Sequence, residues 1–214
     1  MFDSRQANIN FYNHLLHHFG LPPMSADKVD VVHMHTADES IRHIFRETPY
    51  VKQAQEYRMQ MDYTPFIKDM ILEPGLKELL VQLGPTYGLA VATNRSNTIA
   101  QVLESNGLSG YFDIVVSSLD VETPKPHPES LFKILRFFGI DPDCALYVGD
   151  SLVDFETARA AGVLFFAYKN RGLEADYHLD RLMDIADLLD SWNNSPKMRR
   201  LSQDLPANPG GRRK

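Results

Sequence analysis

From residue 87 onward, short apolar runs alternate with helical patterns, and this order constrains the fold more than any other feature of the chain. The runs cover 87–92, 111–117, 145–148 and 163–167, the second containing Ile114-Val115-Val116. Helical patterns fall between them at 97–106, stopped by Gly107, at 128–138, ended by Gly139, and at 154–161. Another, opened by Pro74 and striped by Leu76, Leu79, Leu80 and Leu83, precedes the first run. Unbroken apolar runs suit strands buried on both faces. Strands joined through helices build right-handed units of a parallel sheet, so the chain is expected to be α/β.

The first third has a different character. Residues 5–19 read as an amphipathic helix, with Ile9, Tyr12, Leu15, Leu16 and Phe19 at helical steps, closed by Gly20 and Pro22-Pro23. Residues 27–70 are helical and interrupted by Pro49 and Pro65, with Ser25 or Asp27 as one cap and Asp38 or Ser40 as another. His14, His17 and His18, and separately His33 and His35, have the side chains of metal ligands, but their spacing specifies no further partner and a solvated face explains them better. The expected organisation is a core of 1–13 and 74–190, a helical unit of 14–73, and a poorly ordered basic tail of 191–214.

With 214 residues, 43% hydrophobic and 23% charged, the chain can bury a core carrying a smaller insertion. A net charge of −6 argues against general nucleic-acid binding but not against a small anion held by local charge. The single cysteine, Cys144, precludes an internal disulfide, fits a reducing compartment, and beside an apolar run reads as an inert core thiol. No run approaches the ~18 apolar residues of a membrane span, and residues 1–6 lack signal-peptide organisation. The expectation is a cytoplasmic protein with neither nucleic-acid nor membrane partners and with its oligomeric state open.

Parallel strands open their carboxyl ends on one edge, where ligands bind. Three such ends here carry polar chemistry. Thr93 and Asn94 follow the first run, at the expected N-terminus of a helix, where free N–H groups favour an anion. Lys125 follows the second, in Thr-Pro-Lys-Pro-His-Pro, a loop stiffened by three prolines. Asp150 and Asp154 follow the third, after Gly149, and two nearby carboxylates invite a hard cation such as Mg²⁺. Alone, Thr93 could be only an N-cap, Lys125 a solvated residue, and Asp150 or Ser151 the cap of the next helix. Together, at three strand ends, they suit a phosphate with Mg²⁺.

The order Val-Ala-Thr-Asn-Arg, Lys-Pro-His-Pro-Glu, Gly-Asp-Ser-Leu-Val-Asp resembles the second to fourth motifs of the haloacid dehalogenase superfamily, close to its phosphoglycolate phosphatase-like branch. The resemblance covers about 73–189, and the helical segment before Pro74 resembles the family's α-helical cap. It implies a Rossmann-like core with a small cap, and a Mg²⁺-dependent hydrolase of a small phosphorylated metabolite. By motif position, Thr93 and the Asn94 backbone would bind phosphate and Lys125 would neutralise charge on it. Asp150 would ligate Mg²⁺, with Asp154 supporting that site. Cap residues would set the substrate, with Arg42, His43, Arg46 and Arg58 as candidates.

One element of the family pattern is missing from this sequence. Relatives begin with a strand ending in Asp-x-Asp, whose first Asp accepts the phosphoryl group. Here Met-Phe-Asp-Ser lacks that strand, so Asp3 is not the nucleophile. The expectations are a central strand lost from the sheet, weak or absent Mg²⁺ binding, and Met1 as an internal methionine of a longer phosphatase. A non-catalytic phosphate-binding protein and a phosphomutase are the alternatives.

Overall fold

The computed structural model describes residues 1–193. Five helices come first: α1 (Arg5–His18), α2 (Ala26–Met34), α3 (Ala37–Ile44), α4 (Val51–Gln60) and the single turn α5 (Thr64–Ile67). They bury one cluster of their own, centred on Leu15, Ile41, Phe45 and Ala54. Ala7, Phe11 and Tyr12 belong to that cluster too. Residues 5–13 therefore pack with the helical unit and not with the core, because α1 is continuous and its apolar stripe faces the other helices. Thr36, not Asp38 or Ser40, caps α3, closing a reciprocal box with Glu39.

Two short strands, β1 (Phe2–Asp3) and β2 (Ile71–Leu72), pair antiparallel and carry the chain into and out of the helical unit. The alternating part follows as α6 (Leu76–Leu83), β3 (Ala90–Ala92), α7 (Ile99–Ser105), β4 (Ile114–Val116) and α8 (Glu129–Phe138). It continues through a 3₁₀ turn (Pro142–Cys144) to β5 (Leu146–Gly149), α9 (Leu152–Ala161), β6 (Leu164–Tyr168), β7 (Tyr177–Leu179) and α10 (Asp184–Asn193). β3 runs parallel to β4, and β5, β6 and β7 form a second parallel set. Along β6, Phe166 and Tyr168 pack into one layer with Leu79, Leu108 and Leu179. Phe165 and Ala167 pack into the other, with Leu135, Ala158 and Ala161. Helices cover both faces, which is why the runs are continuous and not alternating.

Between β3 and β5 no backbone ladder forms among the described residues. The Tyr147 hydroxyl reaches across instead, 3.2 Å from the Ala92 carbonyl. Two expectations are corrected. Cys144 is exposed, because it ends the turn before β5 instead of pointing into the core. The tail does not begin at 191, since α10 continues to Asn193 and Trp192 packs on Phe166 and Tyr177. The remainder of the expected tail lies outside the described residues.

Candidate active site

The loops after β3, β4 and β5 meet at one rim. Asn94 clamps the Lys125 backbone: its Oδ1 accepts from the Lys125 N–H and its Nδ2 donates to the Lys125 carbonyl, each at 3.0 Å. The Asn94 side chain thus positions Lys125, while its own N–H makes no hydrogen bond among the described residues. The Thr93 N–H donates to Val116 at 3.0 Å, and its Oγ1 accepts from the Arg95 N–H at 3.1 Å. Neither residue stands at a helix N-terminus. The hydroxyl turn at Thr93 and the ties of Ser96 delay α7 until Ile99, with Thr98 as its N-cap. An anion here would be held by loop N–H groups and side chains, with no contribution from a helix end.

Lys125 lies at the centre. Its Nζ donates to Asp154 Oδ1 at 2.6 Å and to the Tyr147 hydroxyl at 2.9 Å, and the Lys125 and Asp154 side chains are each 10% exposed. Burial works to lower the Lys125 pKa, but Tyr147 and Asp154 outweigh it and keep the ammonium above the ordinary lysine range. Burial likewise works to raise Asp154, yet Lys125 and Ser151 hold it below the ordinary carboxylate range. Burial pushes the Tyr147 phenol upward, so it stays neutral.

The two acids expected as a pair have separate environments. Asp154 Oδ2 accepts from the Ser151 hydroxyl at 2.6 Å, and Ser151 accepts from the Asp154 N–H at 3.2 Å, capping α9. The helix-cap reading therefore holds for Ser151. Gly149 makes this packing possible, since a Cβ there would collide with Asp154, 2.7 Å from its Cγ. Asp150 is exposed, forms no ion pair among the described residues, and its carbonyl accepts from Asn170 at 2.8 Å. The acids offered to Mg²⁺ are thus Asp150, which makes no ion pair among the described residues but lies in the field of the Met1 ammonium, and Asp154, already engaged by Lys125. That fits a cation held through one carboxylate and completed by phosphate and water oxygens, the usual manner of Mg²⁺.

A cavity of about 220 Å³ opens between this rim and the helical unit. Thr93, Asn94, Lys125, Asp150 and Asp154 all line it. Of the four cap candidates, Arg58 alone lines it; Arg42, His43 and Arg46 do not. The His18 ring stacks on Tyr57 at 3.7 Å and His14 meets Phe66 edge-on, and no cluster of three metal-ligating residues exists among the described residues. Sequence reasoning missed Tyr147, Tyr63, Arg95 and Ser96. Tyr147 had a readable signal, a hydroxyl inside an otherwise apolar run. Arg95 and Ser96 directly follow Thr93 and Asn94 in the loop after β3, and Tyr63 is brought to the cavity by packing of the cap on the core, which leaves no local trace.

Comparison with known proteins fits this geometry. The model of the haloacid dehalogenase-like hydrolases matches residues 1–168. Pyrophosphatase PpaX of Bacillus cereus is 37% identical over 113 residues, 49% of this chain and 52% of its own length. A phosphoglycolate phosphatase of Nitrosococcus oceani is 34% identical over 128 residues, 55% and 57% respectively. The chain thus spans about half the length of the curated relatives it matches. A crystal structure of a hydrolase of the superfamily (subfamily IA, variant 1) from Geobacter sulfurreducens is 40% identical, with a TM-score of 0.72 over 88% of this chain and 91% of that one. A family match over most of the chain and a similar fold at 40% identity together carry one conclusion: the chain belongs to the haloacid dehalogenase-like hydrolase family.

Proposed function

We propose that the rim cavity binds the phosphoryl group of a small phosphorylated metabolite and that the protein is a Mg²⁺-dependent phosphatase. The observation that carries this reading is Lys125: a buried ammonium fixed by Asn94, Asp154 and Tyr147 at the wall of a small polar cavity. Lys125 neutralises phosphoryl charge, the Asn94 N–H donates to an oxygen, and Thr93 Oγ1 supplies a hydroxyl beside it. Fixed donors of this kind stabilise charge that develops in the transition state without reorganising. Asp150 would hold Mg²⁺, which would supply positive charge to offset the phosphate oxygens. Phosphoglycolate and pyrophosphate, named for the relatives, suit a cavity below the ~300–1,000 Å³ of drug-sized sites.

The nucleophile is the open part of this reading. Asp3 accepts from the Arg5 N–H at 3.0 Å within β1, and Asp154 is held by Lys125. The break between β3 and β5 supports a further strand at that position carrying the phosphoryl-accepting Asp. Its coding sequence would lie upstream of Met1, and a stop codon directly before Met1 would remove that part of the proposal. Calorimetry with inorganic phosphate tests the binding site: binding that disappears in Lys125→Ala is expected. Release of p-nitrophenol from p-nitrophenyl phosphate with Mg²⁺ then separates a hydrolase from a binder. Binding without turnover, once the upstream strand is restored, would favour the non-catalytic alternative.

A further inference from the structure

The loop after β6 reaches two places at once: the exit of the β1–β2 ribbon, where the chain leaves the cap, and the Asp150 loop. At the ribbon, Glu73 is 14% exposed, and its Oε2 accepts from the Tyr168 hydroxyl and from Lys169 Nζ, each at 2.7 Å. The Glu73 N–H donates to the Met1 carbonyl at 3.0 Å, so both ribbon strands are tied to this point. Burial works to raise the Glu73 pKa, but Lys169 and Tyr168 hold the carboxyl below its ordinary range, and the clamp stays ionised. At the rim, Asn170 Nδ2 donates to the Asp150 carbonyl at 2.8 Å. Its Oδ1 accepts from the Gly172 N–H at 3.2 Å, which fixes the orientation of the amide.

Three consecutive residues thus serve two ends. A strand that simply ran on would send Tyr168 and Lys169 to opposite faces. Lys169 instead has a φ of 52°, the one non-glycine residue in the left-handed region among the described residues. Its N–H still donates to the Leu179 carbonyl at 2.8 Å, which locks the turn to β7. The turn brings the Tyr168 hydroxyl and the Lys169 ammonium to one carboxylate oxygen. It leaves Asn170 beside the end of β5, whose Gly149 stands in register with Ala167. A costly backbone conformation persists where its surroundings over-determine it, and such residues cluster at functional sites. We propose that Asn170 is a positioning residue for Asp150, and that Glu73, through Lys169, holds Asn170 in place, so that the setting of the ribbon is transmitted to the acid at the rim. The share of Asp150 in Mg²⁺ binding rests on the function proposed above, whereas the link from ribbon to rim stands without it.

Hydrogen exchange of the 214-residue chain without ligand tests the link, read at 71–73 and at 149–154. Asn170→Ala is expected to speed exchange at 149–154 about fivefold, the value of one neutral hydrogen bond, and to leave 71–73 unchanged. Lys169→Met should speed both segments, 149–154 by about twofold or more. Lys169→Arg keeps a cationic donor for Glu73 and should restore both. With Lys169→Met and Asn170→Ala combined, 149–154 should exchange no faster than in Asn170→Ala alone, because the link is already cut. Acceleration confined to 71–73 in Lys169→Met, or effects at 149–154 that multiply in the double variant, would overturn the inference. So would an unchanged rate at 149–154 in Asn170→Ala. A rise spread equally over the whole chain would make these side chains structural and overturn it as well. Lys169 is 51% exposed and Asn170 partly so, and these substitutions remove little buried surface. Failure of the phosphate site is read separately, by the titration with inorganic phosphate, since no ligand enters here.

Discussion

Lys125 and Asp154 are each nine-tenths buried and 2.6 Å apart, so each makes the other's charge tolerable. Removing one partner strands the other. Lys125→Met is expected to cost about 3–5 kcal/mol in chemical denaturation, and adding Asp154→Asn should recover most of that loss. A double variant no more stable than the single one would mean that the pair is not what stabilises the site. The same pair sets an acid response. The Asp154 carboxyl is held below its ordinary value of 3.8, so the unfolded chain takes up the proton first as pH falls. The pair's contribution is complete above that value and is lost as pH drops through the depressed native pKa. Acid titration of stability should therefore be shallower below about pH 4 in the double variant. Gly149 is the steric counterpart: Gly149→Ala pushes Asp154 off the strand. It should weaken phosphate binding by taking from Lys125 the partner that positions it, a loss readable by calorimetry.

At the level of elements, α3 stands on one box of bonds, Thr36 Oγ1 accepting from the Glu39 N–H at 3.2 Å and Glu39 accepting from the Thr36 N–H at 2.9 Å. Thr36→Ala is expected to lower stability by about 1 kcal/mol, a fall of ~2–4 °C in Tm for a chain of this size. An unchanged melting temperature would show that packing of Ile41 and Ile44, not the cap, decides α3. The Thr-Ala-Asp-Glu spacing of this box was readable in the sequence, although Asp38 and Ser40 drew the attention there. The strands were equally readable, because burial on both faces leaves unbroken apolar runs such as Ile114 to Val116. β7 was not: Tyr177, His178 and Leu179 make too short and polar a run to signal a strand. The polar positions Thr93, Asn94, Lys125, Asp150 and Asp154 were picked out by their place after strands, and all five line one cavity. The partner of Asp154 was not, because a lysine 29 residues upstream leaves no local pattern.

For the whole molecule, the cap and the core bury separate clusters and meet at a narrow seam. Val102 of α7 packs into the cap cluster, and Arg58–Ser96 and Gln101–Thr64 hydrogen bonds cross between the two parts. The other connection is the β1–β2 ribbon, whose exit is pinned where Glu73 accepts from Tyr168 and Lys169, each at 2.7 Å. Small contacts of this kind leave relative motion of the two parts as the default. A phosphate held at Lys125 orders the rim and leaves the opening of the seam to these few contacts. Hydrogen exchange tests this. Inorganic phosphate should protect the loops at 93–98 and 149–154 and leave 51–60 unchanged. Protection of 51–60 by inorganic phosphate would mean that filling the rim is enough to close the seam, and the cap would then respond to occupancy of the rim.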